Sequence, residues 1–213
     1  IAAYEASSEV SAFSSKFDAY ISGRAQLTAQ EKRGLALFDG KAKCARCHVD
    51  TGRMPLFTDF TYDNLGIPRN PENPFYSETD VNPAGAAWID PGLGGFLASR
   101  SEYASYANAN YGKFKVPTLR NVDTRPAPDF VKAYGHNGYF KSLEGIVHFY
   151  NTRDVLPKCE GSLTEAEALA NDCWPLPEQA LNMNTKEVGD LGLSPADEAA
   201  IVAFLKTLSD GWE

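Results

Sequence analysis

Residues 44–48 read Cys44-Ala45-Arg46-Cys47-His48, and the C-x-x-C-H spacing is the pattern of covalent c-type haem attachment. The spacing has a chemical cause: two thioether bonds hold one porphyrin edge, and the adjacent imidazole is thereby set beneath the iron as its proximal ligand. A redox C-x-x-C pair wants a thioredoxin-like βαβ context, and a zinc half-site wants a second pair of ligands. Neither accompanies this motif. The stretch therefore predicts one haem c, bound through Cys44 and Cys47, with His48 on the iron.

Just upstream, Thr28-Ala29-Gln30-Glu31 forms a capping box, followed by Leu35 and Phe38 and stopped by Gly40. That helix delivers the chain to the haem motif. Further upstream, Val10, Phe13, Phe17 and Tyr20 recur at helical spacing and predict an N-terminal helix. At the far end, Ser194-Pro195-Ala196-Asp197 opens a helix with Ile201, Phe204, Leu205 and Leu208 on one face and Gly211 as its stop. Its apolar stripe needs a partner, and the N-terminal helix is the expected one. Between residues 49 and 115 the recurrent Pro, Gly and Asn forbid long regular elements. A haem accounts for such an irregular stretch, because the macrocycle supplies a rigid apolar surface on which loops pack. The expected fold is all-α with long irregular loops, a cytochrome c-like haem domain over 28–213 preceded by an N-terminal helical segment, 1–27.

Composition narrows the partners. The 213 residues carry 20 Lys plus Arg against 28 Asp plus Glu, a net charge of -8, which argues against nucleic acid or an anionic membrane as the main partner. An acidic surface suits a basic protein partner instead. No run approaches the roughly 18 apolar residues of a membrane span. Cys159 and Cys173 stand apart from the haem motif in a segment rich in Pro, Glu and Asn. Haem c is normally attached outside the cytoplasm, an oxidising setting in which spare cysteines bridge, so these two predict a disulfide that staples a loop. Two inert buried thiols are the competing account. The chain opens Ile1-Ala2-Ala3-Tyr4 without a basic leader and reads as processed or as a fragment.

Several motifs in order along the chain carry a resemblance. They are Gly34-Leu35-Ala36-Leu37-Phe38, Phe57-Thr58-Asp59-Phe60, Asn64-Leu65-Gly66, Lys115-Val116-Pro117-Thr118-Leu119-Arg120-Asn121, Gly135-His136-Asn137-Gly138, Ser142-Leu143-Glu144, and Leu191-Gly192-Leu193-Ser194. Together they resemble the C-terminal haem domain of bacterial di-haem cytochrome c peroxidases and MauG-like proteins. The resemblance implies a periplasmic location, an earlier haem domain that meets peroxide, and a redox partner such as a small cytochrome or cupredoxin. It also implies that Ile1-Ala2-Ala3-Tyr4-Glu5 corresponds to the helix closing that first domain, and that a calcium ion can lie between domains. This chain has one C-x-x-C-H, so it is half of a di-haem protein or a monohaem offshoot.

The other axial position decides whether the haem transfers electrons or opens to small molecules. By resemblance it falls on Tyr150, where MauG-like proteins have a Tyr and the peroxidases a Met. A helical wheel over 142–151 independently aims Leu143, Ile146, Val147 and Tyr150 inward and His148 away. A tyrosinate would favour ferric iron. Met183, which precedes the terminal helix as the axial Met does in simple cytochromes c, competes, its alternative being core packing. His148 and an open site also remain, whereas Met54 stays on the proximal side. By resemblance His136 lies near the haem as a hydrogen-bonding or proton-relay group, the weak catalytic candidate; a structural turn histidine is the alternative. Arg120 could pair with a haem propionate or form an ordinary surface ion pair. These readings predict a one-haem electron carrier or relay, with hydrogen peroxide reduction at this haem as the alternative.

Overall fold

The computed structural model describes every residue except Ala6, Ser8 and Ser11, and leaves out the side chains of Ala2 and Glu5. The described residues form helices α1 (Ala2–Glu5), α2 (Lys16–Ile21), α3 (Ala29–Asp39), α4 (Gly92–Ala98), α5 (Leu143–Thr152), α6 (Glu165–Ala170) and α7 (Pro195–Lys206), with strands β1 (Tyr62–Asp63) and β2 (Phe114–Lys115). The chain is thus mostly helical but not purely so. The strands pair antiparallel, Tyr62 opposite Lys115 and Asp63 opposite Phe114, a small addition to the mainly α expectation: two extended stretches of the irregular region satisfy each other's amides. The chain divides into two compact units, one of Ile1–Phe60, Val116–Phe130 and Leu193–Glu213, the other of Thr61–Lys115 and Val131–Gly192.

In the first unit α3 and α7 form the core. Thr28 and Ser194 cap them as their sequences predict, each with a reciprocal carboxylate at the third helical position, Glu31 and Asp197. The two helices approach so closely at Gly34 that a Cβ there would lie 1.9 Å from the carbonyl oxygen of Ala200. The partner of α7 is therefore chiefly α3, not the N-terminal helix. Phe17 of α2 does reach the same cluster, its ring 5.6 Å from Phe204, which in turn sits 5.1 Å from Phe38. The expected N-terminal helix is broken: α1 and α2 are separate, and Phe13 between them has a φ of 50°, a left-handed backbone that ends helical propagation. Part of that expectation falls on Ala6, Ser8 and Ser11, outside the described residues. The terminal helix also stops at Lys206 with Thr207 as its cap, before Gly211.

Arg120 organises the polar side of this unit. Its guanidinium donates to both Asp18 oxygens at 2.9 and 2.6 Å and to Asp210 at 3.1 Å, and the Arg120 and Asp18 side chains are each only 7% exposed. This is a buried network, not the ordinary surface ion pair considered above, and its charge is already met by two carboxylates. Burial pushes the Asp18 carboxyl up, but hydrogen bonds from Arg120 and Ser15 outweigh it and hold the group below its ordinary value. A carboxyl with a depressed folded-state pKa adds stability above its unfolded pKa of about 3.9, lost as pH falls through the lower folded value. Asp18→Ala should cost about 3 kcal/mol, the low end for breaking a buried pair because Asp210 remains. Urea midpoints at pH 7 and pH 3 check this: the variant's deficit should be large at the first and shrink at the second.

The second unit contains α5. Ser142 caps it by accepting from Gly145 N, and Glu165 of α6 accepts from Lys141 N at 2.6 Å and from Ser142 Oγ at 3.2 Å. Cys159 and Cys173 form the expected disulfide, with Cα atoms 5.2 Å apart. It does more than staple a surface loop, because Cys159 N donates to the carbonyl of Trp174, a fully buried residue whose indole donates to Thr152 at the end of α5. Arg153, 2% exposed, gathers the loops by donating to the carbonyls of Leu65, Asn184 and Val188.

Candidate haem site

A short 3₁₀ turn, Cys44–Arg46, carries the haem motif directly after α3. Lys43 enters it with φ 59°, and the amides of Cys47 and His48 both donate to the Cys44 carbonyl, at 3.2 and 2.9 Å. One tight turn therefore sets both thiols and the imidazole at fixed spacing. Neither Cys44 nor Cys47 is bridged. Burial, reinforced by the charge of Cys47, pushes the Cys44 thiol up to about 12, the opposite of the lowered value a redox-active C-x-x-C needs.

His48 Nδ1 lies 2.8 Å from the Phe57 carbonyl. A carbonyl only accepts, so Nδ1 carries the proton and Nε2 is the nitrogen with a lone pair for iron. Burial holds the ring's pKa below its ordinary value against the carbonyls of Phe57 and Pro117, which support the protonated form. A neutral imidazole with an oriented Nδ1–H and two unbridged thiols is the donor set that a c-type haem requires, and these residues fit it. Beside the motif, Asp39 and Asp50 repel each other; burial first and Asp50 second push the Asp39 carboxyl up to about 6. The sequence reading overlooked this pair, whose only linear signal is that it brackets the motif.

The other candidate residues lie in the second unit. His136 stacks on Phe114 with ring centroids 3.6 Å apart, and its Nε2 is 3.8 Å from Glu178. Glu178 also accepts from Tyr76 Oη at 2.6 Å and Asn137 Nδ2 at 3.4 Å. The flanking Gly135 and Gly138 have φ of 80° and 70°, as the turn reading anticipates, and His136 has structural partners. Met183 packs its sulfur against Gly66, where a Cβ would fall 2.3 Å from it. Along α5, Leu143 and Val147 are buried as the wheel predicts, but so are Phe149 and Asn151, while Ile146, His148 and Tyr150 are half-buried. The wheel's single inward face is too simple because Trp174 covers another side, its ring 5.9 Å from that of His148 and 5.2 Å from that of Phe149.

No family model matches the chain. It is 32% identical over 216 residues to the methylamine utilization protein MauG of Paracoccus denitrificans, an alignment covering 99% of this chain and 50% of that protein. The chain belongs to the MauG-like, di-haem cytochrome c peroxidase family. Other MauG-like relatives include the cytochrome-c peroxidase IdrP2 of Denitromonas iodatirespirans, 30% identical over 86% of this chain and 40% of the relative. Among solved structures, the diheme peroxidase BthA from Burkholderia thailandensis superposes with a TM-score of 0.72 at 31% identity, over 96% of this chain and 48% of that one. This MauG-like chain thus spans half or less of the length of these relatives. Among its described residues no helix is long and apolar enough to cross a membrane.

Proposed function

We propose that this chain is a periplasmic c-type cytochrome domain with one haem, held covalently by Cys44 and Cys47 and ligated by His48 and Tyr150, that relays electrons within a MauG-like or peroxidase-type protein. The observation that carries the reading is the donor set: two unbridged thiols and an imidazole whose Nδ1 is engaged by Phe57. Bound haem supplies a one-electron ferric/ferrous couple. The protein's part is to hold the axial nitrogen and keep the ring neutral. The net charge of -8 favours a basic redox partner, a small cytochrome or cupredoxin. The di-haem character of BthA, and the half-length match to it, support a second haem domain in the complete protein.

Peroxide reduction at this haem is the second reading, favoured by relatives named cytochrome-c peroxidase. It needs an accessible iron and an acid-base group, for which His136 is the candidate; two axial protein ligands exclude it. Electron paramagnetic resonance of the oxidised protein separates the two. The relay reading expects a six-coordinate low-spin signal that turns high-spin and binds cyanide at once in Tyr150→Phe. A wild-type protein already high-spin and cyanide-binding would overturn the relay in favour of the peroxidase. A thioether charge-transfer band in the far red would move the sixth ligand to Met183.

A further inference from the structure

The nine residues after His48 lead into a turn whose backbone is strained at two bulky positions. Phe57 and Phe60 have φ of 52° and 61°, the left-handed region that large aromatic side chains rarely enter unless their surroundings over-determine it. Here they do. The Phe57 ring is fully buried, packed 5.3 Å from Phe17 and 6.1 Å from Phe38. Between the two strained residues, the Thr58 hydroxyl donates to the Val116 carbonyl at 2.7 Å and accepts from Phe60 N at 3.0 Å. Just before them, the exposed Thr118 donates to the Leu56 carbonyl at 2.5 Å.

This clamped turn brackets the ligand dipeptide from two sides. Asp59 N donates to the Cys47 carbonyl at 2.8 Å, and the Phe57 carbonyl faces His48 Nδ1 at 2.8 Å. A residue with ordinary negative φ at position 57 would point its carbonyl elsewhere. We propose that the Phe57–Phe60 turn, locked by Thr58, orients His48 and fixes its Nδ1 hydrogen bond, and through that bond sets how strongly the imidazole donates to the iron. Thr58 is a positioning residue: its hydroxyl bonds the Val116 carbonyl and Phe60 N, and it acts on His48 through the Phe57 carbonyl. The physical link is that a carbonyl on Nδ1–H makes the imidazole a more basic ligand, which favours ferric iron. The second half of this inference rests on the haem reading above.

The test uses the holoprotein and two readouts, solvent exchange of the His48 Nδ1 proton by NMR and the midpoint potential of the iron. Thr58→Val keeps the shape but removes both hydroxyl bonds. It should speed Nδ1–H exchange about tenfold and shift the couple toward ferrous by about tenfold, which is about 59 mV for one electron, while Thr58→Ser restores wild-type behaviour on both. Should Thr58→Val fail to fold, Thr118→Val, at an exposed site, loosens the same turn and should move both readouts in the same direction. Unchanged exchange and potential in the folded variants overturn the proposal. A wild-type protein without haem overturns the haem reading instead, and the exchange rate alone still decides whether the turn holds His48.

Discussion

Replacing Cys44 and Cys47 together with alanine is expected to abolish the haem signal of the denatured chain, whereas each single variant retains one thioether and keeps most of it. On the proposed reading, axial ligation by His48 would last only while the fold holds the ring: the turn that sets it depends on the Phe57 carbonyl at 2.8 Å and the Cys44 carbonyl bonds, all of which vanish on unfolding. A site that is not preformed in the unfolded chain releases its metal group there. Thioether bonds survive denaturation. Haem staining after a denaturing gel measures this directly, and haem retained by the double variant, or lost from the wild type, would show that attachment does not run through these cysteines. The same double variant should still fold around noncovalent haem, because the core of that unit is the Phe17, Phe38, Phe57 and Phe204 cluster and the α3 and α7 packing.

The second large effect is structural. Gly34→Ala should destabilise the protein by about 3 kcal/mol or more, against about 1 kcal/mol that alanine normally gains over glycine inside a helix. The sign is decided by distance: a Cβ at position 34 would meet the Ala200 carbonyl oxygen at 1.9 Å, its carbon at 2.6 Å and the Phe204 Cβ at 2.8 Å. Two of those atoms are helix backbone and cannot rotate away, so α3 and α7 must separate and leave the aromatic cluster underpacked. A lowered urea midpoint with an unchanged slope is the expected record. A variant as stable as the wild type, or more so, would mean that the two helices do not cross at Gly34.

What could be read from the linear chain was local. The haem motif, the capping boxes at Thr28 and Ser194, the Ser142 start of α5 and the pairing of Cys159 with Cys173 all depend on neighbours close in sequence or on simple counting of cysteines. The family followed from short motifs kept in order. Long-range choices were not legible. Nothing near Ser194 distinguishes α3 from the N-terminal segment as the partner of α7; only the missing side chain at Gly34 does, and its meaning appears once Ala200 lies against it. Arg120 read equally well as a propionate ligand or a surface pair, because the residues that meet it, Asp18 and Asp210, lie about a hundred positions away on either side. The helical wheel of α5 likewise could not know that Trp174 would cover a further face.

The sequence by itself thus determined the chemistry at the centre of this protein: two thiols and an imidazole at the spacing that a covalent haem demands, on a helical framework with well-marked ends. Only the tertiary structure decided how that imidazole is held. The carbonyl that fixes His48 belongs to a phenylalanine in a left-handed conformation, stabilised by a buried ring, a threonine clamp and a segment from residue 116 onward. Backbone strain of this kind has no local signature, since it persists only where distant packing outweighs the cost of the conformation.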